Sequence, residues 1–374
     1  MKSLPNLHSR PQAQDGAPGR DWFFPLNGWL LTALVRLEED APHTLLFAYK
    51  ACALWRNAVA VAFATGALER PESFLLRAHG DLDESKAATS LRAQFASAIC
   101  QMRPQRIVEA ALDKVPPSLC GALQKIGFSP LSTAEAYRRL IALLGSTSAV
   151  GRARRRVLEQ ISGCRLTDDI LQVVECLDLA LLTPTTATQV RNAEEAHRLN
   201  ASLGAIRRLC STATDAALRE SADAMGIAFD ARRFARSWLA KADRLEPLGI
   251  PLDRDPDIVR INPATAEAAG RRWRNCLAGY AHEMAAGASA FFAIEKLSVI
   301  AVLRLTDAGW LLVGVHTHDN GPISREIVAA VTSRLSGLGV LCIRPISGDA
   351  VVASAVGGFR RDIDWDFDFA GLDV

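Results

Sequence analysis

Lysine is scarce in this sequence: only seven of its 43 basic side chains are lysines, and the rest are arginines, a bias typical of GC-rich bacterial genomes. An excess of either charge is missing too. The 43 basic residues stand against 41 acidic ones, for a net charge of +2. No global field therefore calls for a nucleic-acid or membrane partner, and any basic site must be local. Paired cysteines are lacking: the eight cysteines are scattered, with no CxxC and no spacing that would build a zinc knuckle. They read as reduced thiols. No apolar run is long enough to span a bilayer, since the most apolar segment, 51–68, carries Arg56 and Asn57. The opening MKSLPNLHSRPQAQDGAPGR has no apolar stretch of the secretory kind, so the expected location is the cytoplasm.

The common catalytic signatures are also absent. There is no GxxxxGK phosphate loop, no GxGxxG and no GxSxG elbow. His282-Glu283 opens like a zinc-protease HExxH, but Ala286 stands where the second imidazole would be, so no cofactor or metal is expected there.

What remains is an ordinary globular composition: 374 residues, 49% hydrophobic and 22% charged, enough for two or three domains. Residues 1–20 are polar and rich in Pro and Gly, and are expected to form a disordered tail. Residues 21–246 read as a helical region. In it Ser132 and Glu135 form an S-x-x-E capping box, Tyr137, Leu140, Ile141 and Leu144 share a face, and Gly145 stops the helix. A second helix is expected from Thr167, with Asp168 and Asp169 in its first turn and Pro184 at its end.

Four prolines between Leu245 and Pro263 mark a boundary or an extended entry segment, and the pattern then changes. The segment from Trp273 to Ala286 reads as a helix ended by Gly287. Three strand-like runs come next: Ser289 to Glu295, Val299 to Leu305, and Trp310 to about Thr317. Their short connections predict an antiparallel meander, and the unbroken apolar run from Val299 to Leu303 suits a central strand covered on both faces. Ser324 should cap a helix reaching about Ser336, and Val340 to Ile343 could add a fourth strand. The end, RRDIDWDFDFAGLDV, alternates Asp with apolar residues, as an edge strand or docking tail would. The expected fold is α+β: a helical N-terminal region, then a domain over 247–374 with a three- or four-stranded antiparallel sheet on helices. A fragment from about 250 to 374 should fold alone.

Several residues could carry chemistry. His316 and His318, two apart on a strand, would point to one face and could share a metal or an anion, with Cys276 or Glu295 as a third group; the simpler reading is a polar sheet end. Cys276 could be a nucleophile with Arg271, Arg272 and Arg274 supplying positive charge, and on a continuous helix Tyr280 and Glu283 would share its face. The alternative is that Cys276, Gly279 and Tyr280 pack against the sheet, with Gly279 allowing close approach. Arg271, Arg272 and Arg274 around Trp273 suit phosphate contact and base stacking, or else form a solvated helix face.

The segment from Trp273 to about Leu338 resembles the PcfJ-like family of bacterial mobile elements and conjugative plasmids. The resemblance runs through NCLAGYAHEMAAG, FFAIEK, VIAVLRL and WLLVGVHTHDNGPIS in that order. It places family-motif positions at Cys276, Gly279, Tyr280, Gly287 and Asn320, with Pro322 a looser match, and covers about a fifth of the chain. Asn275 stands where family members often carry His, so a Cys–His mechanism would lose a partner. Glu295 and Arg304 look like a reversed ion pair. The resemblance implies an accessory protein of a mobile element, associated with nucleic acid or with a mobile-element protein. The alternatives are a small hydrolase or transferase working between the Cys276 helix and the His316–Asn320 strand end, and a protein-interaction module. Catalytic candidates are thus Cys276, Tyr280, Glu283, Glu295, His316, His318 and Asn320.

Overall fold

The computed structural model describes residues 25–79 and 90–342. The expected N-terminal tail, Ile343 of the fourth strand and the aspartate-rich C-terminus lie outside them. The chain divides into two compact units, Met1–Glu175 and Cys176–Val374.

The described part of the first unit is helical, and its centre is the helix Ala53–Ala64, buried at every position from Trp55 onward. A helix apolar all round belongs inside a core, and this one packs against the helices Pro104–Ala111, Leu119–Ile126 and Ala134–Gly145. Its two polar residues are both satisfied. Arg56 donates to the carbonyls of Ala48 (3.1 Å) and Tyr49 (2.7 Å), in the last turn of the helix Thr44–Lys50, where carbonyls otherwise lack partners. Asn57 donates to the Gly127 carbonyl (2.8 Å) and accepts from the Tyr137 hydroxyl. No helix among the described residues is long and apolar enough to cross a membrane.

Two local expectations shift. The helix Ala134–Gly145 is capped by Thr133, whose hydroxyl accepts from the Ala136 amide, while the Ser132 amide donates to Asp168. The helix beginning at Asp168 ends at Cys176, and Pro184 opens the next short helix, where a missing N–H costs nothing.

The second unit carries the sheet and gives the α+β architecture. Strands β1 (Ile258–Ile261), β2 (Ser289–Ile294), β3 (Val299–Thr306) and β4 (Gly309–His316) lie in the order β1-β2-β3-β4, each antiparallel to the next. The last three match the expected runs to within a residue or two. β1, inside the proline-rich boundary, was not legible. The expected fourth strand reduces to one parallel bridge, Leu341 to Leu311.

Alternation explains the two layers on the sheet. Ala290, Phe292, Ile294, Val299, Ala301 and Leu303 meet Val331 and Leu335 of the helix Arg325–Gly337, which Ser324 caps as expected. Phe291, Ala293 and Ile300 meet Ala266, Trp273, Leu277 and Met284 on the other side. β3 is therefore apolar at consecutive positions because both its faces are covered.

The segment from Trp273 to Ala286 is not one helix. A helix over Pro263–Trp273, closed at its start by an Asn262–Thr265 capping box, stops where Arg274 turns left-handed (φ 50°). A 3-10 turn, Leu277–Tyr280, and a short helix, Ala281–Ala285, come after it. The chain doubles back over the end of the first helix, so a Cβ on Gly270 would lie 3.3 Å from the Asn275 carbonyl oxygen and 3.4 Å from the Ala278 nitrogen. Gly270 is thus the close approach. A Cβ on Gly279 would meet nothing within 4 Å.

The sheet also depends on residues before 250. Leu248 and Ile250 pack on the core, Trp310 donates its indole N–H to the Leu248 carbonyl (3.0 Å), and the Ala264 amide donates to the Ala242 carbonyl (3.2 Å). The helix Ala231–Leu239 packs against the helix Ala281–Ala285.

Candidate active-site cleft

β3 and β4 do not keep a simple register. Val302 stands opposite Gly314 but Leu303 stands opposite Leu312, so Val313 is an extra residue on β4. A bulge of this kind re-aims the side chains beyond it. Trp310 and Leu312 pack toward the helix Arg325–Gly337, and strict alternation would send Gly314 and His316 the same way. Val315 takes that direction instead, and His316 comes to lie opposite Ile300 on the other face.

On that face the covering helices leave a cleft of about 360 Å³. Its floor is Phe291, Ile300 and Val302, with Ser289 and Arg304 at one side and Gly314 and His316 at the other. Its wall is the turn Asn275–Tyr280 with Glu283, and Asn320 lies at its edge. The turn has local causes: Arg274 reverses the chain, and the Asn275 side chain accepts from the Leu277 amide (3.2 Å). The Tyr280 ring packs on Phe291 with centroids 5.4 Å apart.

The electrostatics are specific. Burial, with the neighbouring Cys276 and Glu283, holds the Tyr280 phenol above its ordinary value, and Arg304 opposes this. The phenol therefore keeps its proton beside Cys276. Glu283 accepts from the Ser289 hydroxyl (3.0 Å). Gly314 leaves room for the imidazole, since a Cβ there would lie 2.9 Å from His316 Nε2.

Cys276, Tyr280, Glu283, His316 and Asn320 thus line one cleft, and Cys276 is exposed rather than packed against the sheet. Glu295 and His318 are not part of it. Glu295 is held by both Nη1 and Nη2 of Arg272, at 2.9 and 2.7 Å, so it is not the partner of Arg304, which stands opposite Ser289 in the β2–β3 register. His318 has left the strand for a 3-10 turn, His318–Asn320, where its Nδ1 lies 3.0 Å from Asp319. Among the described residues no three His, Cys, Asp or Glu side chains are grouped to hold a metal ion.

The arginine group before the cleft is differently occupied from its sequence reading. Arg271 pairs with Glu267 (2.5 Å), Arg272 with Glu295, and Arg274 with Asp319 (3.5 Å). Trp273 is only 6% exposed and packs in the core, so its ring is not offered to a base. Arg304 is the cleft residue that sequence reasoning missed. Its signal was available: Ile300, Val302 and Arg304 share one face of a strand that is otherwise apolar there.

Comparison with protein-family models, with curated proteins and with solved structures gives no match to this chain.

Proposed function

We propose that the second unit is a thiol-dependent enzyme of the hydrolase or transferase class. The observation that carries this reading is the meeting of an exposed cysteine, a phenol from the same turn, and an imidazole from another strand in one cleft. Cys276 Sγ adds to an acyl carbon of the substrate while His316 takes the thiol proton. The leaving group departs with that proton, and the acyl group passes from sulfur to water or to a second nucleophile. Tyr280 lines the cleft beside the sulfur and offers its phenol as a donor there. Where the resembled family often carries His, this chain has Asn275, and in this reading His316 of β4 takes the imidazole's role.

The accessory, nucleic-acid-associated role that the PcfJ-like resemblance implies gains nothing from the arginine group, whose members are paired and whose tryptophan is buried. The enzymatic reading therefore takes precedence.

The test is a burst of nitrophenolate from p-nitrophenyl acetate, stoichiometric with the full-length chain, as an acyl-enzyme requires. The burst should vanish in Cys276→Ala and slow at least about tenfold in His316→Gln. Equal release by wild type and Cys276→Ala would overturn the assignment.

A further inference from the structure

Arg304 differs from the arginines around it. Arg271, Arg272, Arg274 and Arg334 each hold a carboxylate. Arg304 is exposed on the cleft side of β3, beside Val302 and opposite Ser289, and no carboxylate or carbonyl among the described residues accepts from it. The nearest acidic lining residue, Glu283, directs an oxygen to the Ser289 hydroxyl instead. A guanidinium offers five donors in a planar fork matched to carboxylate and phosphate oxygens. Beside it the floor is apolar, formed by Phe291, Ile300 and Val302. The volume, about 360 Å³, lies at the small end of the range for small-molecule sites.

We infer that the cleft takes a small acyl donor bearing a free anionic group, a carboxylate or a phosphate, which Arg304 receives while the apolar body covers Phe291 and Val302 and the acyl carbon lies against Cys276. This rests on the thiol-enzyme reading above. The covalent step is the same: the sulfur–carbon bond forms, the bond to the leaving group breaks, and the proton passes from thiol to His316 to leaving group. Arg304 adds recognition through charge-assisted hydrogen bonds that a neutral analogue forfeits. The sites of recognition and attack come from different elements, β3 and the turn after the helix Pro263–Trp273, so substrates of the wrong length would miss one of them.

The experiment compares two alkylating agents of nearly equal size on the full-length chain, anionic iodoacetate and neutral iodoacetamide, with adduct formation at Cys276 followed by mass spectrometry. Both react through the thiolate, so the ratio of their rates cancels the ionisation of the sulfur. The iodoacetate-to-iodoacetamide ratio at Cys276 should exceed that of free 2-mercaptoethanol by about tenfold, as one charge-assisted contact implies. Arg304→Gln should return it to the free-thiol value, with circular dichroism and thermal melting of the variant reporting an intact fold. Inorganic phosphate and succinate, added separately as protectants against iodoacetamide, distinguish the two anions: the one that protects names the substrate's group. A Cys276 ratio equal to that of the free thiol, unchanged in Arg304→Gln, would overturn the inference. That result is separable from failure of the thiol-enzyme reading, which the p-nitrophenyl acetate burst reports independently.

Discussion

His316 stands opposite Ile300, on the cleft side of the sheet, because Val313 inserts one residue into β4. The two sides of the bulge serve different ends. Before it, Trp310 and Leu312 complete the core under the helix Arg325–Gly337; after it, the strand presents an imidazole to the thiol-bearing turn. One unpaired residue thus converts a structural strand into one that also carries a polar group to the site.

Gly314→Ala tests how the imidazole is seated. The added Cβ would lie 2.9 Å from His316 Nε2, so the ring must swing aside. A displacement of about 1 Å in a reacting group can cost about 100-fold in rate. We expect the p-nitrophenyl acetate burst to slow at least about tenfold, with stability changed by less than about 2 kcal/mol because the ring is at the cleft surface. An unaltered burst rate in a stably folded Gly314→Ala variant would remove His316 from the mechanism.

A second prediction concerns acid stability of the sheet unit. Arg334 binds both Asp255 and Asp257, tying the helix Arg325–Gly337 to the segment leading into β1, and Lys296 adds a contact to Asp257 (2.9 Å). The Arg334 hydrogen bond lowers the Asp255 carboxyl below its ordinary value; Lys296 first, then Arg334, lower Asp257. A depressed carboxylate pKa in the folded state gives stability that is present above the unfolded value of about 3.9 and lost as pH falls through the folded value. The stability difference between wild type and Arg334→Gln should be constant above about pH 5 and should close below about pH 4. His282, whose pKa burial lowers most, loses stability on its own account as pH falls below about 6.5, but it does so in both proteins and cancels in the difference. Urea denaturation at a series of pH values gives the curve; a difference that widens on acidification would contradict the assignment.

The fold was legible in the sequence wherever a local signal exists. β2, β3 and β4 announced themselves by apolar runs between short turns, and Ser324 capped its helix as expected. β1 has four residues in a proline-rich stretch, too few for a period to show. The break after Trp273 was hidden because arginine, unlike glycine or asparagine, gives no sign of a left-handed turn. The same break defeats helical-wheel reasoning about Cys276, which reaches Tyr280 through a 3-10 turn. Nothing in WLLVGVH marks Val313 as the extra residue, so the direction of His316 could not be read from alternation. Glu295 and Arg304 looked like a reversed ion pair because the family resemblance places opposite charges late in the first and second strands, but register puts Ser289 across from Arg304 and leaves Glu295 to Arg272.

The boundary of the sheet unit gives the last prediction. A fragment of residues 250–374 keeps all four strands and their two covering helical layers, which made it look self-sufficient. It lacks Leu248, whose side chain packs on the core and whose carbonyl receives the Trp310 indole N–H, and Ala242, whose carbonyl receives the Ala264 amide. It also loses the helix Ala231–Leu239, which covers the helix Ala281–Ala285 below the cleft wall. Removing a part-buried acceptor and a half-buried leucine costs on the order of a few kcal/mol together, a sizeable share of the roughly 5 to 15 kcal/mol that holds a domain together. The fragment should therefore melt broadly or bind a hydrophobic dye, whereas residues 176–374, the whole compact unit, should give a cooperative transition. Calorimetry on the two fragments decides the matter. A sharp transition for 250–374, at the temperature seen for 176–374, would mean that the upstream helices add nothing to the sheet.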